Sequence, residues 1–335
     1  MKRTAVVFTT KDKVDVIEEP VEALADDRIL VETSRTLIST GTELICLGAK
    51  FAPGTHWAAW VKYPFRSGYL NAGRVLEVGK AVKDFKPGDR VACRWNHVSH
   101  FTYPAAQAVH IPDGVSDEDA AWFGLGKITQ VGVRAADHKM GDTVAIVGLG
   151  LLGQLVTQYA RIMGASQVIA IDMAPMRLEM AKKHGATHTL QMTAADALQP
   201  LKDITNGRGA DIVYDITGFA PVFAQVLPLA RSFGKVVLLG DTGTPQQQTL
   251  THDIVTRGLR IVGAHDGHAG DPFPAPNFLW SGKEIYDLFF TYVERGQMRV
   301  SSLMTHRFKP QQAPEAFAML QRERETAMGV GFEWK

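Results

Sequence analysis

The feature that most constrains the fold is a run of three glycines that stands between a strand pattern and a helix pattern. Residues 143–147 form a short apolar strand pattern, and an apolar stripe with helical spacing begins at Leu152. In this setting the first glycine permits a tight turn, the second lets a pyrophosphate approach the backbone, and the third lets helix and strand pack closely. The helix N-terminus adds unpaired N–H groups and a positive dipole. The run predicts a dinucleotide-binding loop made of Gly148, Leu149, Gly150, Leu151, Leu152 and Gly153.

An acid at the end of the next strand indicates which dinucleotide binds. Residues 167–171 read as a second buried strand, and Asp172 follows them. A carboxylate there accepts hydrogen bonds from the ribose hydroxyls and repels a 2′-phosphate, which favours NAD(H) over NADP(H). The alternative is that Asp172 only caps the helix that begins at Pro175. Arg177 leaves two roles open, contact with the adenosine ribose and plain solvation.

Strands and helices alternate along the middle of the chain, after the acidic run at residues 116–119. Apolar strands are predicted at 143–147, 167–171, 210–216, 235–239 and 259–263, with helices between them. Uninterrupted apolar strands that alternate with helices indicate a parallel sheet covered on both faces. We therefore predict an α/β chain in which residues 119–295 form a doubly wound parallel-sheet domain.

The first part of the chain has a different pattern. Short strands are predicted at 3–9, 15–19, 29–37, 73–78 and 90–93, with a Lys-Pro-Gly-Asp turn at 86–89 and little helix. This pattern indicates an antiparallel, barrel-like β domain. After helices at 284–295 and 313–321, strands at 304–308 and 329–333 return to this β character. We predict that residues 296–335 complete the domain formed by residues 1–118.

Composition excludes several classes of partner. The 335 residues carry 36 basic and 35 acidic side chains, a net charge of +1, so nothing indicates binding to nucleic acid or to an anionic membrane. Cys46 and Cys93 are too few for a disulfide framework or a four-cysteine zinc lobe, and a reducing compartment fits them best. No secretory apolar core follows Met1-Lys2-Arg3, and no stretch is long enough to span a bilayer. We expect a cytoplasmic protein.

With these elements in place, the chain resembles the medium-chain dehydrogenase/reductase family over nearly its full length. The resemblance is carried by the glycine run and by the segments at 40–43, 73–89, 305–308 and 313–316. It implies a GroES-like β domain, a Rossmann domain, a cleft between them and a nicotinamide cofactor. It also implies a homodimer or homotetramer that acts on a small-molecule alcohol or ketone.

Three departures from the family pattern concern zinc. The positions that hold the zinc ligands in zinc-dependent members carry Thr40, Tyr69 and Leu125 here. Zinc requires thiolate, imidazole or carboxylate ligands, so we predict that no catalytic metal binds. The segment 39–43 resembles that of a zinc-free branch that includes bacteriochlorophyllide dehydrogenases. The expected reaction is zinc-independent hydride transfer between nicotinamide and a secondary alcohol or ketone, such as a sugar or polyol.

Without zinc, a side chain must polarise the substrate oxygen. By resemblance, Thr42 matches a hydroxyl that relays a proton, Tyr69 replaces a histidine ligand, and Lys127 lies two residues beyond the third ligand position. Each residue has a structural alternative as well: a local hydrogen bond for Thr42, a pocket wall for Tyr69 and a solvated helix end for Lys127. The sequence does not choose among them.

Histidines supply further candidates. His265 and Asp266, with His268 nearby, follow a predicted strand of the parallel sheet, and ligands bind at the carboxyl ends of such strands. These residues are candidates to reach the nicotinamide or the substrate, with a surface loop as the alternative and a metal less favoured. His100 has two open roles, in a pocket or in the core, and lies three residues after His97. Glu43 is expected to pair with an arginine.

The family resemblance implies the remaining cofactor contacts. Thr129 would approach the nicotinamide phosphate or ribose. Thr217 and Gly218 would border the adenosine and ribose, and Asp241 and Thr242 would present backbone to the carboxamide.

An aromatic-rich stretch at residues 50–67 is expected to form a loop over the active site. Its aromatic side chains are Phe51, Trp57, Trp60, Tyr63 and Phe65. Aromatic walls stack on sugar faces and on flat rings alike, so they do not identify the substrate. Two rival functions stay open: a zinc-free enoyl or quinone reductase, which NADPH preference would favour, and a non-catalytic NAD(H)-binding sensor.

Overall fold

The computed structural model describes residues 1–268 and 280–335, and the chain divides into two compact units. The first unit comprises Met1–Gly124 and Tyr286–Lys335, and the second comprises Leu125–Ile285. The sequence pattern places the corresponding changes at residues 118 and 296. The first unit is therefore discontinuous along the chain, whereas the second is a single segment.

The first 124 residues are mainly strands. The elements are β1 (Lys2–Thr10), β2 (Lys13–Pro20), β3 (Arg28–Leu37), α1 (Thr40–Leu47), α2 (His56–Trp60), β4 (Phe65–Arg66), β5 (Asn71–Val78), β6 (Arg90–Cys93), β7 (His100–Pro104), β8 (Val109–His110) and α3 (Asp117–Ala120). The expectation of little helix is wrong for α1, whose buried face includes Leu44, Cys46 and Leu47. It is also wrong for α2, where the Thr55 side chain accepts a hydrogen bond from the Ala58 N–H.

The second unit is an alternation of strands and helices. Its elements are α4 (Phe123–Ala135), which starts just before it, β9 (Thr143–Val147), α5 (Leu151–Ile162), β10 (Gln167–Asp172), α6 (Pro175–Lys183), β11 (His188–Gln191), α7 (Leu198–Ile204), β12 (Ala210–Asp215), α8 (Val222–Val226), β13 (Ala230–Leu238), α9 (Asp253–Thr256) and β14 (Arg260–Gly263). The sheet order is β11-β10-β9-β12-β13-β14, and all neighbours are parallel. From β9 the chain adds strands first toward one edge, β10 and β11, and then toward the other, β12 to β14. Doubly wound sheets bind their ligands at this switch point between β9 and β12.

The end of the chain returns to the first unit. It contains α10 (Gly282–Glu294), β15 (Met304–Phe308), α11 (Ala313–Arg322) and β16 (Gly329–Glu333). β16 pairs antiparallel with β3, with Gly331 opposite Leu37. It thereby joins a sheet of order β15-β16-β3-β5-β6-β8, in which β7 also pairs with β3, while β2-β1-β4 form a smaller sheet. The end of the chain is therefore part of the sheet to which β3 belongs.

Aromatic rings from both ends of the chain pack in one core of the first unit. The rings of Phe8 on β1 and Phe317 on α11 meet edge to face, with centroids 5.0 Å apart. Trp57, which is only 5% exposed, belongs to the same core. Phe51, Tyr63 and Phe65 pack against it as partly buried side chains. The prediction of a loop over the active site is wrong for these four aromatics, because their rings complete the core; Trp60 remains half exposed.

No helix within residues 1–268 and 280–335 is both long enough and apolar enough to cross a membrane. Cys46 and Cys93 are both buried as free thiols. Burial raises the pKa of each thiol well above its ordinary value, which leaves both thiols protonated at neutral pH.

Candidate functional site

The glycine loop joins β9 to α5, and each glycine occupies a different environment. Gly148 has φ of +92°, a left-handed conformation that favours glycine. A Cβ on Gly153 would lie 2.1 Å from the carbonyl oxygen of Gly148, so close packing of strand and helix requires glycine there as well. At Gly150, no described atom lies within 4 Å of the Cβ position. The loop thus combines a tight turn, a close packing point and an open backbone face.

Asp172 connects this loop to the next strand-to-helix turn. Its Oδ2 accepts a hydrogen bond from the Leu149 N–H at 2.7 Å, and its Oδ1 accepts one from the Ala174 N–H at 2.9 Å. Arg177 Nη1 lies 3.7 Å from Oδ2, and the Arg177 side chain is only 17% exposed. Asp172 therefore holds the residue before α6 and does not cap the first turn of that helix, and each carboxylate oxygen keeps a further lone pair for a ligand. Arg177 pairs with Asp172, so plain solvation is wrong for it.

The loops after β12 and β13 meet beside the glycine loop. A Cβ on Gly148 would lie 3.1 Å from the Thr217 N atom, and a Cβ on Gly218 would lie 3.2 Å from the Asp241 carbonyl oxygen. Thr242 is buried, and its Oγ1 accepts a hydrogen bond from the Thr244 N–H at 3.2 Å. The structure thus gathers Thr217, Gly218, Asp241 and Thr242 at the carboxyl ends of the strands.

Asp215, the last residue of β12, was not singled out from the sequence. Its Oδ1 accepts hydrogen bonds from the Thr217 Oγ1 at 2.7 Å and from the Thr217 N–H at 3.1 Å. Burial raises the pKa of the Asp215 carboxyl above its ordinary value, and the bonds from Thr217 oppose that rise. Asp215 therefore orients Thr217 next to Gly148.

Four other predicted residues belong to the second unit, and one of them, His265, has a ring nitrogen within 4.8 Å of a carboxylate oxygen of Asp241. Thr129 is fully buried, and its Oγ1 donates to the carbonyl oxygens of Leu125 at 2.9 Å and Gly126 at 3.0 Å within α4. Lys127 is half-buried on the same helix. His265 and Asp266 follow β14, and His265 Nδ1 accepts the Gly267 N–H at 3.1 Å. β14 lies three strands from β9, about 14 Å across the sheet. The side chain of His268 lies outside the described part.

Tyr69, in the first unit, stands at one of the positions where the family pattern has a zinc ligand. Its Oη donates to Ser39 Oγ at 2.6 Å, and its phenol oxygen also shares a hydrogen bond with the Thr42 side chain. The guanidinium carbon of Arg94 lies 4.6 Å from the centre of the Tyr69 ring, a cation–π contact. Neither Ser39 nor Arg94 was proposed from the sequence, because nothing local connects them to Tyr69.

The surroundings of Tyr69 set its proton affinity. Burial raises the pKa of the phenol above its ordinary value of 10.0, and the charge of Glu43 adds to the rise. The charge of Arg94 and the hydrogen bonds with Ser39 and Thr42 act in the opposite direction. The phenol therefore keeps its proton at neutral pH, as a proton donor must.

Glu43 lies on the other side of Ser39. It is 1% exposed, its Oε1 accepts the Ser39 N–H at 2.8 Å, and its Oε2 lies 3.1 Å from His97 Nε2. An arginine was expected as the partner, and the structure has His97 in that place. His100 instead lies 3.8 Å from Glu32 and 3.1 Å from Ser99, and burial lowers the pKa of its imidazole.

Comparison with known proteins places this geometry in a family. The family model described as "Alcohol dehydrogenase GroES-like domain" matches residues 30–116, and the family model described as "Zinc-binding dehydrogenase" matches residues 152–279. Sorbitol dehydrogenase of Bacillus subtilis (strain 168) is 30% identical over 273 residues, which cover 71% of this chain and 74% of that protein. The chain belongs to the medium-chain dehydrogenase/reductase family.

Two further medium-chain relatives span most of the chain. L-threonine 3-dehydrogenase of Marinomonas sp. (strain MWYL1) is 26% identical over 300 residues, which cover 78% of this chain and 82% of that protein. A solved structure described as a zinc-binding dehydrogenase from Sinorhizobium meliloti 1021, bound to NADP, matches with a TM-score of 0.79 and 21% identity over 99% of each chain. The predicted GroES-like and Rossmann folds are confirmed, and this medium-chain dehydrogenase/reductase is a nicotinamide-dependent oxidoreductase of alcohols.

Proposed function

We propose that this chain is a zinc-independent, NAD(H)-dependent oxidoreductase that interconverts a secondary alcohol and its ketone. The observation that carries the proposal is the Tyr69 phenol, which occupies a zinc-ligand position, bonds to Ser39 at 2.6 Å and lies beneath the Arg94 guanidinium. A buried phenol that holds its proton can replace a metal as the group that neutralises charge on a substrate oxygen.

The residues at the family's ligand positions do not fit zinc. Thr40 offers a hydroxyl, Leu125 offers no donor atom, and the phenol oxygen of Tyr69 is already hydrogen-bonded to Ser39. The positive charge of Arg94 over the Tyr69 ring would also oppose a dication at this point. These observations support a metal-free reaction.

The proposed chemistry divides between cofactor and protein. When bound, the cofactor supplies hydride transfer at its nicotinamide ring. During ketone reduction, Tyr69 Oη gives its proton to the substrate oxygen, which becomes the alcohol hydroxyl. Ser39 and Thr42 then hydrogen-bond the phenolate, and the charge of Arg94 stabilises it until solvent returns a proton. In the oxidation direction the phenolate accepts the proton of the alcohol.

Several residues of the second unit would hold the dinucleotide. The open face at Gly150 and the first N–H groups of α5, from Leu151, Leu152 and Gly153, suit a pyrophosphate. Asp172 would accept hydrogen bonds from the ribose hydroxyls. The rest of the cofactor would be bordered by Thr217, Gly218, Asp241 and Thr242. Thr129 stays a prediction for a contact with the nicotinamide end of the cofactor. Its hydroxyl already donates to the Leu125 carbonyl oxygen within α4, so the contact would be made by the backbone of that helix.

One observation favours a second candidate. Arg177 lies 3.7 Å from Asp172, and an arginine near this acid can bind the 2′-phosphate of NADP(H). An NADPH-dependent enoyl or quinone reductase would use that arginine. A non-catalytic NAD(H) sensor is the third reading, and it predicts cofactor binding without turnover.

The names of the relatives guide the substrate class. Sorbitol is a polyol, and L-threonine carries a secondary hydroxyl, so a polyol, a sugar or a related secondary alcohol is proposed here. Thr42, Lys127, His265 and Asp266 stay alternative predictions for the proton donor. Binding to nucleic acid or membranes is not expected, and a cytoplasmic location stays a prediction.

We propose a homodimer as the basic assembly, with a homotetramer as the alternative. Among the described residues, β14 is one of the two edge strands of the parallel sheet, and Ile261 on it is 37% exposed. Phe233 on the adjacent strand β13 is 75% exposed, and Val255 on helix α9, which precedes β14 in the chain, is 86% exposed. An open apolar edge is a common site for strand pairing with a second copy. Sedimentation of the protein at several concentrations tests the assembly.

The test of the proposed function combines a metal assay with turnover. The chelator-treated protein should hold no stoichiometric zinc and should still reduce ketones with NADH across a panel of polyol-derived and amino-alcohol-derived substrates. Tyr69→Phe should lower kcat by about 10²- to 10⁴-fold while NADH binding is unchanged. Tyr63→Phe, which removes a phenol hydroxyl of the same unit that donates to the Cys46 carbonyl oxygen at 2.6 Å, serves as the matched control. Activity that requires added zinc would overturn the proposal.

A further inference from the structure

Five residues of the first unit form a closed circuit of contacts that begins and ends at Tyr69. Tyr69 Oη bonds to Ser39 Oγ at 2.6 Å, the Ser39 N–H bonds to Glu43 Oε1 at 2.8 Å, and Glu43 Oε2 lies 3.1 Å from His97 Nε2. The His97 ring packs against Gly68, where an added Cβ would lie 2.7 Å from His97 Cδ2. Gly68 precedes Tyr69, so the circuit closes through the backbone.

We propose that Glu43 and His97 are positioning residues that hold the Tyr69 phenol in its proton-donating orientation. This inference rests on the proposed function, in which Tyr69 is the proton donor. His97 fixes the backbone end of Tyr69 through Gly68, and Glu43 fixes Ser39, whose Oγ accepts the hydrogen bond of the phenol.

Burial makes this arrangement rigid. Glu43 is 1% exposed and His97 is 0% exposed, so neither side chain can exchange its partner for water without opening the core. The His97 backbone is also held, because its N–H donates to the Ser67 carbonyl at 2.9 Å and its carbonyl accepts from the Val6 N–H at 3.0 Å. The Phe332 ring lies edge-on to the imidazole, with centroids 5.1 Å apart.

The tautomer of His97 follows from its partners. A carboxylate only accepts hydrogen bonds, so His97 Nε2 carries the hydrogen that points to Glu43. His97 Nδ1 is buried and finds no hydrogen-bond partner among the described residues. The charge of Glu43 acts on Tyr69 in the direction opposite to that of Arg94.

The first experiment reads the phenol directly, without turnover. The tyrosinate absorbance of the chain is titrated, and the curve of its Tyr69→Phe counterpart is subtracted to isolate Tyr69 among the seven tyrosines. Glu43→Gln keeps an acceptor for the Ser39 N–H and removes the charge, so the pKa of Tyr69 should fall. Glu19→Gln, an ion-paired carboxylate of the same unit that contacts Arg3 and Arg66, should leave it unchanged. An unchanged pKa in Glu43→Gln contradicts the proposal.

The second experiment measures coupling. His97→Leu should lower kcat about tenfold or more and leave the KM for NADH unchanged, and His97→Gln, which can still donate to Glu43, should recover part of the loss. In the Tyr69→Phe background, His97→Leu should have no further effect on kcat, because the phenol hydroxyl that His97 positions is already absent. Equal losses in both backgrounds would show that His97 is merely structural.

The two experiments also separate this inference from the proposed function. If Tyr69→Phe retains full kcat while Glu43→Gln lowers the pKa of Tyr69, the circuit exists but the proton donor is another group. If Tyr69→Phe abolishes turnover while neither Glu43 nor His97 is coupled to it, the donor is Tyr69 and the positioning role is wrong. Thermal unfolding and NADH binding of each variant identify any that fail to fold.

Discussion

Asp172 Oδ2 accepts the backbone N–H of Leu149 at 2.7 Å, so the acid after β10 and the glycine loop after β9 hold one another in place. Because the same carboxylate receives the Ala174 N–H and contacts Arg177, it also fixes the turn into α6. One side chain therefore links the expected phosphate and ribose ends of the dinucleotide site. Its charge is the feature that should separate the two nicotinamide cofactors.

Asp172→Asn should weaken NADH binding by about 10-fold or more, because a hydrogen bond to a charged group contributes roughly 1.5–3 kcal/mol. NADPH binding should be less affected, so the preference for NADH shrinks. Dissociation constants from fluorescence titration provide the measurement. Glu179→Gln, an exposed acid on the following helix α6, is the control and should change neither constant. If the unmodified protein prefers NADPH, the role assigned to Asp172 is wrong, and Arg177 becomes the candidate that binds the 2′-phosphate.

Alanine at two glycines of the loop should change different properties: stability at Gly153 and dinucleotide affinity at Gly150. Gly153→Ala places a methyl group 2.1 Å from the Gly148 carbonyl oxygen and should destabilise the fold by about 1–3 kcal/mol. Gly150→Ala meets no described atom within 4 Å, and Gly150 has φ of −69°, so stability should change by less than about 0.5 kcal/mol. Its dinucleotide affinity should nevertheless fall, because the methyl group occupies the open face. Thermal unfolding and NADH titration together distinguish the two effects; equal stability losses would show that Gly150 is packed.

The direction of the reaction should depend on pH through Tyr69. Burial raises the pKa of the phenol above 10.0, so the protonated donor predominates at neutral pH. The kcat of ketone reduction should therefore not vary with pH in that range. Alcohol oxidation needs the phenolate, whose fraction rises about tenfold per pH unit below the pKa. The oxidation kcat should therefore climb with pH toward that raised value, and the reduction kcat should decline only above it. Tyr69→Phe should flatten both profiles; a Tyr69→Phe variant that keeps the alkaline rise would assign it to Lys127 or another group.

Folding stability should fall in mild acid because of His138. Its Nε2 lies 2.6 Å from Tyr214 Oη, and burial lowers the pKa of the imidazole to about 4. Between that value and the ordinary 6.5, the unfolded chain binds the proton and the folded chain does not, so acidification favours unfolding. The loss should reach about 3 kcal/mol between pH 7 and pH 4. Urea unfolding across this range measures it, and His138→Gln should remove most of the slope.

Local patterns predicted the second unit well. Strand β9 has the predicted bounds, and β10 extends the predicted strand only by Asp172. Each of these predictions depended on neighbouring residues: a short apolar run, a glycine that needs positive φ, and an acid at a strand end. Such signals are complete within a few residues, so the sequence alone could carry them.

Contacts between distant segments were beyond the same reasoning. Glu43 and His97 are 54 positions apart, and their pairing depends on how α1 packs beside the segment before β7. Helix α1 itself was missed because Thr40, Gly41 and Thr42 are poor helix formers, and Glu43 satisfies the Ser39 N–H only after the helix has formed. The aromatic stretch was misassigned because a buried and an exposed tryptophan have the same local pattern.

The pairing of β16 with β3 has a consequence for synthesis. All strands of the second unit leave the ribosome before residues 304–333, so that unit can reach its complete sheet while the chain is still being made. The sheet of the first unit stays incomplete until the last strand emerges, because β3 pairs with β5 and β7 but still lacks β16 on its other side. Nascent chains stalled before residue 329 should therefore resist protease in the second unit and remain open to cleavage in the first.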